Sequence, residues 1–283
     1  MRSAAGSRYT LRAVALGYLA LILVLPCSMI VYYTFRDGLG PVSEALTDPA
    51  FISALKLTLI AVGIAVPANT IFGVLCAMAL VRRPPKHGTW LFNSVIGLPL
   101  ALSPVVVGLA LILVYGQDGW FGGWLTENGI EIIFSTPGIV LATIFVTLPF
   151  VVREVVPVLR EVGTDQEEAA WTLGASRSQA FWRITLPAIR WGVAYGVVLT
   201  TARALGEYGA VAVVSGRLAG KTETLTLHVD EEYLRFNEVA AYTTSLVLAL
   251  LAVLTLIAMN IFKPQTHKEV ADVDRRPPSH EAI

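Results

Sequence analysis

Arg203 and Glu207 are the charged residues of an apolar run that begins near Trp191 and continues to about Val214. On a helix, residues four apart share one face, so these two side chains can form an ion pair. A permanent guanidinium in such a place suits an anion, and a nearby carboxylate keeps the binding weak enough for release. A second interpretation is that the pair only neutralises itself and fastens this helix to a neighbour.

Two other patterns resemble ligand sites, one for a phosphate and one for a metal ion. The details of the sequence argue against both. Residues 215–222 read SGRLAGKT, but a phosphate-binding loop requires glycine where Ser215 stands. The histidines are too scattered for a metal site, and both cysteines lie in apolar runs, where a free thiol behaves as a small hydrophobe. These residues are His87, His228, His267, His280, Cys27 and Cys76. We predict no catalytic residue, no metal and no nucleotide on this chain.

The composition indicates a membrane protein. Of its 283 residues, 55% are hydrophobic and 15% charged, with a mean hydropathy of +0.65, which is too apolar for an ordinary soluble domain. The formal net charge is zero, so no overall basic field is present to attract nucleic acid. We therefore exclude nucleic-acid binding and expect the lipid bilayer as the surrounding medium.

Six apolar runs are long enough to cross a bilayer as helices, which requires about 20 residues each. They are 13–33, 57–81, 89–115, 132–152, 191–214 and 239–262. Because backbone groups inside lipid must be satisfied within the segment, the prediction is an all-α polytopic fold with six transmembrane helices. Pro99, Pro104 and Pro149 are expected to kink the third and fourth spans.

The distribution of lysine and arginine predicts the orientation. With the N-terminus inside, fifteen of these residues lie in cytoplasmic segments, where such an excess is expected. The outer segments hold five: Arg36, Lys56, Arg217, Lys221 and Arg235. Both termini are therefore predicted to be cytoplasmic, in the plasma or inner membrane. The polar segment between spans four and five lies on the same side.

That polar segment, 163–187, is built to form two short helices. Ser/Thr-x-x-Glu/Gln capping boxes occur at 164–167 and 176–179 and predict two helix starts. Gly174 is placed to end the first helix in a left-handed conformation. Pro187 fits the first turn of the helix that becomes span five. The segment thus predicts helix, glycine corner, helix and then membrane.

The same segment resembles the EAA loop of ABC importer permeases, and we call residues 163–187 the EAA loop. The matching residues are Glu168, Ala169, Ala170, Gly174, Ile184, Leu186 and Pro187. The resemblance implies a type I ABC importer permease fold. It also implies that the loop is a coupling helix, which seats in a groove of a cytosolic ATPase and transmits its closure to the membrane helices.

Other stretches are similar to the sulfate and molybdate importer permeases. ARALGEYGAV in span five and LPLALSPVVVGLAL in span three carry this likeness, and HVDEEYLRFNEVAAY looks most like the W-type sulfate/thiosulfate permease subunit. The resemblance implies a second homologous permease, two ATP-binding subunits that hold ATP and Mg²⁺, and an extracytoplasmic sulfate-binding protein. A molybdate or tungstate importer permease is the alternative.

The expected organisation has three parts. Residues 1–50 hold the cytoplasmic N-terminus, the first span and an outer loop; 51–262 form the type 1 permease core; and 263–283 are a polar cytoplasmic tail. Two other classes of protein stay open on the sequence. A secondary transporter or channel would not need the EAA loop, and a membrane-embedded enzyme would need a catalytic cluster that the spans lack.

Overall fold

The computed structural model describes residues 3–82 and 89–262, and over these residues it contains helices, turns and loops without a strand. The predicted tail, 263–283, lies outside the described residues. The first helices are α1 (Ser3–Leu19), α2 (Leu25–Phe35), α3 (Leu39–Thr47), α4 (Pro49–Arg82), α5 (Thr89–Ala101), α6 (Pro104–Tyr115) and α7 (Gly122–Glu127). They are followed by α8 (Thr136–Val162), α9 (Asp165–Thr172), α10 (Arg177–Ala180), α11 (Leu186–Leu205), α12 (Gly209–Val214), α13 (Leu225–Leu234) and α14 (Glu238–Phe262). Two π-helical segments, Ala20–Val24 and Phe181–Thr185, join α1 to α2 and α10 to α11.

Five stretches of the described chain are single helices long and apolar enough to span a membrane, and a sixth is a bent pair. The five are Leu11–Phe35, Pro49–Arg82, Thr136–Val162, Arg177–Leu205 and Glu238–Asn260. The bent pair is Ser94–Ala101 with Pro104–Tyr115, which meet at 113°. The predicted number of spans is therefore reached when this pair counts as one.

The third span is broken more sharply than the kinked helix that the sequence predicted. The helix is interrupted at Leu102 and Ser103. The backbone of Ser103 is extended, with φ −63° and ψ 135°. Pro104 explains the break, because the residue before a proline avoids the helical region and proline itself suits the first turn of a new helix. By contrast, α8 continues through Pro149 to Val162.

The fifth span also ends earlier than predicted. Its helix ends at Leu205 rather than near Val214, and α12 begins only at Gly209. Between them, the Glu207 carboxylate accepts a hydrogen bond from the backbone N–H of Ala210 at 3.0 Å. Such a bond satisfies an N–H that the first turn of a helix leaves unpaired, so Glu207 stabilises a new helix start instead of continuing α11.

The core lies where α4, α8 and α11 pack together. Fully buried apolar residues on α8 and α11, among them Leu159 and Ile189, meet α4 there. The approach of α11 to α8 is close at Gly192 and Gly196, where small residues let two helix backbones come together. A Cβ added at Gly196 would lie 3.1 Å from the Cα of Val151 on α8.

Candidate functional site

The EAA loop turns at Gly174, whose φ is +87°. Around it the backbone forms a Schellman motif, in which Gly174 N–H donates to Trp171 O and Ala175 N–H donates to Ala170 O, both at 3.0 Å. The predicted left-handed glycine corner at the end of α9 is confirmed. Since a left-handed backbone is costly for residues with a Cβ, glycine has a physical reason to stand here.

The second capping box is confirmed and the first is wrong. Ser176 Oγ accepts from Gln179 N–H at 3.2 Å, and Gln179 Oε1 accepts from Ser176 N–H at 2.8 Å. Thr164, in contrast, makes no side-chain capping bond. Its expected partner Glu167 points inward and pairs with Arg82, with Nη2 and Oε1 2.9 Å apart. The Glu167 carboxylate accepts from two nitrogens of the cationic guanidinium and from the Thr185 hydroxyl. A single backbone N–H at the cap offers fewer partners, which explains why Glu167 does not cap the helix.

Of the seven residues that match the EAA pattern, some are exposed at the surface and others are half-buried against the helix bundle. Glu168, Ala169, Gly174 and Pro187 are exposed, whereas Ala170, Ile184 and Leu186 are half-buried. The loop also exposes three large apolar side chains, Trp171, Leu173 and Trp182, of which Leu173 is 89% exposed. Sequence reasoning did not single out the first two, and its expectation that Trp182 lies on a buried helix face is wrong. Apolar groups on a polar loop are typical of a protein contact, and this is the feature that the sequence analysis missed.

Pro187 lies in the first turn of α11, as predicted. The preceding segments do not form a separate helix with its own end, however. α10 continues through the π segment Phe181–Thr185 into α11, so that Arg177–Leu205 is one continuous helix. The EAA loop is thus joined to the fifth span without a flexible link.

Arg203 and Glu207 are brought together by the structure. Arg203 Nη1 lies 2.8 Å from Glu207 Oε2, where the arginine side chain is 34% exposed and the glutamate 1%. The other oxygen of Glu207 accepts from Ala210 N–H, and its backbone carbonyl accepts from the Thr226 hydroxyl at 2.8 Å. The carboxylate is therefore fixed, while part of the guanidinium is open to a ligand.

Threonine residues line a small cavity beside this pair. A cavity of about 10 Å³ beside Glu207 is lined by Thr58, Thr143, Thr224 and Thr226 among others. That volume matches roughly one water molecule and is too small for an oxyanion. Any anion that meets Arg203 must therefore approach from the exposed side of the guanidinium.

The SGRLAGKT segment forms a turn between α12 and α13 that binds its own side chains. Ser215 Oγ accepts from Arg217 N–H and Thr222 Oγ1 accepts from Leu218 N–H, at 3.1 and 3.2 Å. Arg217 Nη1 pairs with Asp230 at 2.9 Å. Several hydroxyl and N–H groups that would have to bind a phosphate are therefore already hydrogen-bonded within the turn. This agrees with the prediction that the segment is not a phosphate-binding loop.

Several buried polar contacts could not be read from local spacing. Asn69 on α4 donates to Ile144 O and to Thr147 Oγ1 on α8, at 3.0 and 2.7 Å. An amide inside an apolar span is itself a signal of such a contact. Glu223 and His228 form a second buried pair, 3.1 Å apart, for which the sequence carries no comparable signal.

Residues 69–268 match the family described as the binding-protein-dependent transport system inner membrane component. The chain belongs to this family. The EAA loop, Arg203 and Glu207 all lie within the matched residues of this inner membrane component. Among the described residues, no group of three His, Cys, Asp or Glu side chains is arranged to hold a metal ion.

Two relatives and one solved structure resemble this inner membrane component over most of its length. It is 53% identical over 265 residues to the sulfate transport system permease protein CysW of Synechocystis sp., covering 93% of this chain and 96% of the relative. It is 36% identical over 257 residues to the sulfate transport system permease protein CysT of Escherichia coli K12, covering 90% and 92%.

The solved structure is a bacterial alginate ABC transporter in complex with an alginate pentasaccharide-bound periplasmic protein. Its TM-score is 0.73 at 17% identity, covering 90% of this chain and 91% of the matched chain. The predicted all-α, type I ABC importer permease fold is confirmed. The roles of individual residues in the EAA loop and the Arg203–Glu207 pair stay predictions, as does the division at residues 51 and 262.

Proposed function

We propose that this chain is a permease subunit of an ATP-driven importer of sulfate and thiosulfate, and that it forms half of the translocation pathway. The observation that carries the proposal is the EAA loop. Its glycine corner exposes Glu168 together with Trp171 and Leu173, while one continuous helix joins the loop to the span that ends beside Arg203. A partner that grips the loop can therefore act directly on the pathway helix.

Sulfate is the substrate suggested by the CysW and CysT relatives, and the charge pair is compatible with it. A cationic contact favours a dianion, and the partly exposed guanidinium of Arg203 offers one at the end of α11. Glu207 holds that guanidinium in place and lowers the net positive charge, so the anion is bound weakly and can leave.

Several partners follow from this function. ATP and Mg²⁺ are bound by two ATPase subunits and not by this chain, which acts without catalysis. A second homologous permease completes the pathway, as the separate CysW and CysT relatives suggest, and an extracytoplasmic binding protein delivers the anion. Both termini and the EAA loop then lie in the cytoplasm, in agreement with the lysine and arginine distribution.

The test is uptake of labelled sulfate by cells that lack their own importer and express this chain with its partners. We expect ATP-dependent uptake that excess thiosulfate inhibits more strongly than excess molybdate. Stronger inhibition by molybdate would support the alternative molybdate permease. Uptake that is independent of ATP would instead indicate a secondary transporter.

A further inference from the structure

Arg82, the last residue of α4, lies at the centre of a buried polar network beside the EAA loop. Its side chain is only 10% exposed. Because arginine is rarely buried unless its charge is paired, such burial indicates partners. Nε and Nη2 both donate to Glu167 Oε1, at 3.2 and 2.9 Å. Arg82 therefore ties the end of α4 to the first turn of α9 inside the EAA loop.

The same guanidinium closes the end of α8. Nη1 donates to the backbone carbonyl of Leu159 at 3.2 Å, and Nη2 donates to that of Gly163 at 2.6 Å. The last carbonyls of a helix have no partner within it, and a positive charge there also interacts favourably with the helix dipole. Arg82 thus holds α4 and α8 together at the point where the chain enters the EAA loop.

Glu167 extends the network to the fifth span. The hydroxyl of Thr185 donates to Glu167 Oε1 at 2.8 Å, and Thr185 is the last residue of the π segment before α11. One carboxylate oxygen therefore accepts from two nitrogens of Arg82 and from Thr185. The Arg82 network, comprising Arg82, Leu159, Gly163, Glu167 and Thr185, joins four elements: α4, α8, α9 and the base of α11.

We infer that Arg82 and Glu167 are positioning residues for coupling: they make the EAA loop move as one body with the ends of α4, α8 and α11. This inference rests on the proposed function. The two adjacent glutamates of the EAA loop differ in exposure: Glu167 is buried, and Glu168 is exposed. Glu168 is available to a partner, whereas Glu167 transmits the displacement inward. Without the network, the loop can shift relative to the helices and the movement is lost.

The test uses the complete transporter, with partner subunits and binding protein, in proteoliposomes. Labelled sulfate imported per ATP hydrolysed is measured for Arg82→Gln, Arg82→Lys and Glu167→Gln. Arg160→Gln, an exposed arginine in the last turn of α8, is the matched control. We expect the two glutamine variants of the network to keep the ATPase bound and hydrolysing ATP while the ratio falls at least fivefold.

Two further comparisons distinguish coupling from a general loss of structure. Arg82→Lys keeps the charge without the forked geometry, so its ratio should be intermediate. The double variant Arg82→Gln/Glu167→Gln should be no worse than the poorer single variant, because both residues act through one contact. If Arg82→Gln does not accumulate in the membrane, the ratio of sulfate imported to ATP hydrolysed is compared in Glu167→Gln and Thr185→Val instead. Both variants keep the guanidinium contacts to α8, and a normal ratio in both would reject the inference.

An unchanged ratio in these variants overturns the inference, as does a proportional fall of uptake, hydrolysis and subunit association. Failure of the proposed function gives a different result, because the wild-type complex would then import no sulfate with ATP. Normal coupling in Arg82→Gln together with active wild-type import would reject the Arg82 network alone.

Discussion

At the scale of single residues, the two members of the Arg203–Glu207 pair have unequal environments. Glu207 is enclosed and fixed by Ala210 N–H, whereas a third of the Arg203 side chain is exposed. Enclosing the guanidinium as well would cost desolvation energy, whereas its exposed part leaves N–H donors that an anion can reach. The open side of the guanidinium therefore favours a ligand-facing role.

Arg203→Gln should raise the KM for sulfate uptake at least tenfold, because the cationic contact to the dianion is lost. This variant also leaves a buried carboxylate unpaired, which by itself destabilises the fold. The double variant Arg203→Gln/Glu207→Gln removes that penalty and should recover the membrane level of the protein without recovering the KM. A wild-type KM in the double variant would make the pair purely structural. Arg235→Gln, on an exposed side chain of the α13 end, is the control.

Residue pairs were predictable from the sequence only where they are close along the chain. Arg203 and Glu207 are four residues apart, so helical spacing alone brought them together. Arg82 and Glu167 are 85 residues apart, and their contact depends on how α4 and α8 pack. Local pattern therefore assigned Glu167 to a capping box, while tertiary contact gave it a stronger partner.

At the scale of the elements, the glycine corner sets the direction of the EAA loop. Gly174→Ala meets no neighbouring atom within 4 Å, so its cost arises from the backbone φ of +87° alone. That cost is about 1–2 kcal/mol, and we expect association with the ATPase subunit to weaken by about 5- to 30-fold. Gly63→Ala, which also meets no atom within 4 Å but has no left-handed φ, should bind the ATPase normally. Equal binding by both variants would contradict a role for the corner.

Apolar runs gave the number of spans but not their breaks. Hydropathy sums over a window, so it does not show where a backbone leaves the helix. The break before Pro104 had a local cause in proline chemistry, although its 113° bend depends on packing. The break around Glu207 has no proline. There the Glu207 carboxylate accepts from a backbone N–H in the first turn of α12. A hydropathy profile records Glu207 only as one charged residue within an apolar run.

At the scale of the whole molecule, burial ranks the spans from centre to edge. In their most apolar windows, 56% of residues are buried in Thr136–Val162, against 11% in Glu238–Asn260 and none in Leu11–Phe35. The first span contacts α14 through Tyr33 and Tyr242, whose stacked rings have centroids 5.3 Å apart. Among the spans of the described chain, the first is therefore the most peripheral, and it packs on the next most exposed one.

Labelling of single cysteines tests the proposed orientation. Leu173 in the EAA loop and Leu218 in the 215–222 turn are 89% and 53% exposed, and we expect them on opposite sides of the membrane. In a background of Cys27→Ser and Cys76→Ala, a membrane-impermeant thiol reagent should label Leu218→Cys in intact cells. It should label Leu173→Cys only after permeabilisation. The reverse pattern would invert the topology and remove the EAA loop from the cytoplasm.

The most direct test of the central claim is recovery of the ATPase subunit with the purified permease, compared between wild type and Glu168→Ala. Glu168 is exposed beside Trp171 and Leu173, so the variant should insert normally, lose at least tenfold in ATPase association and fail to import sulfate. Glu161→Ala, another exposed carboxylate just before the loop, should match the wild type. Full association and ATP-dependent uptake by Glu168→Ala would contradict the coupling role.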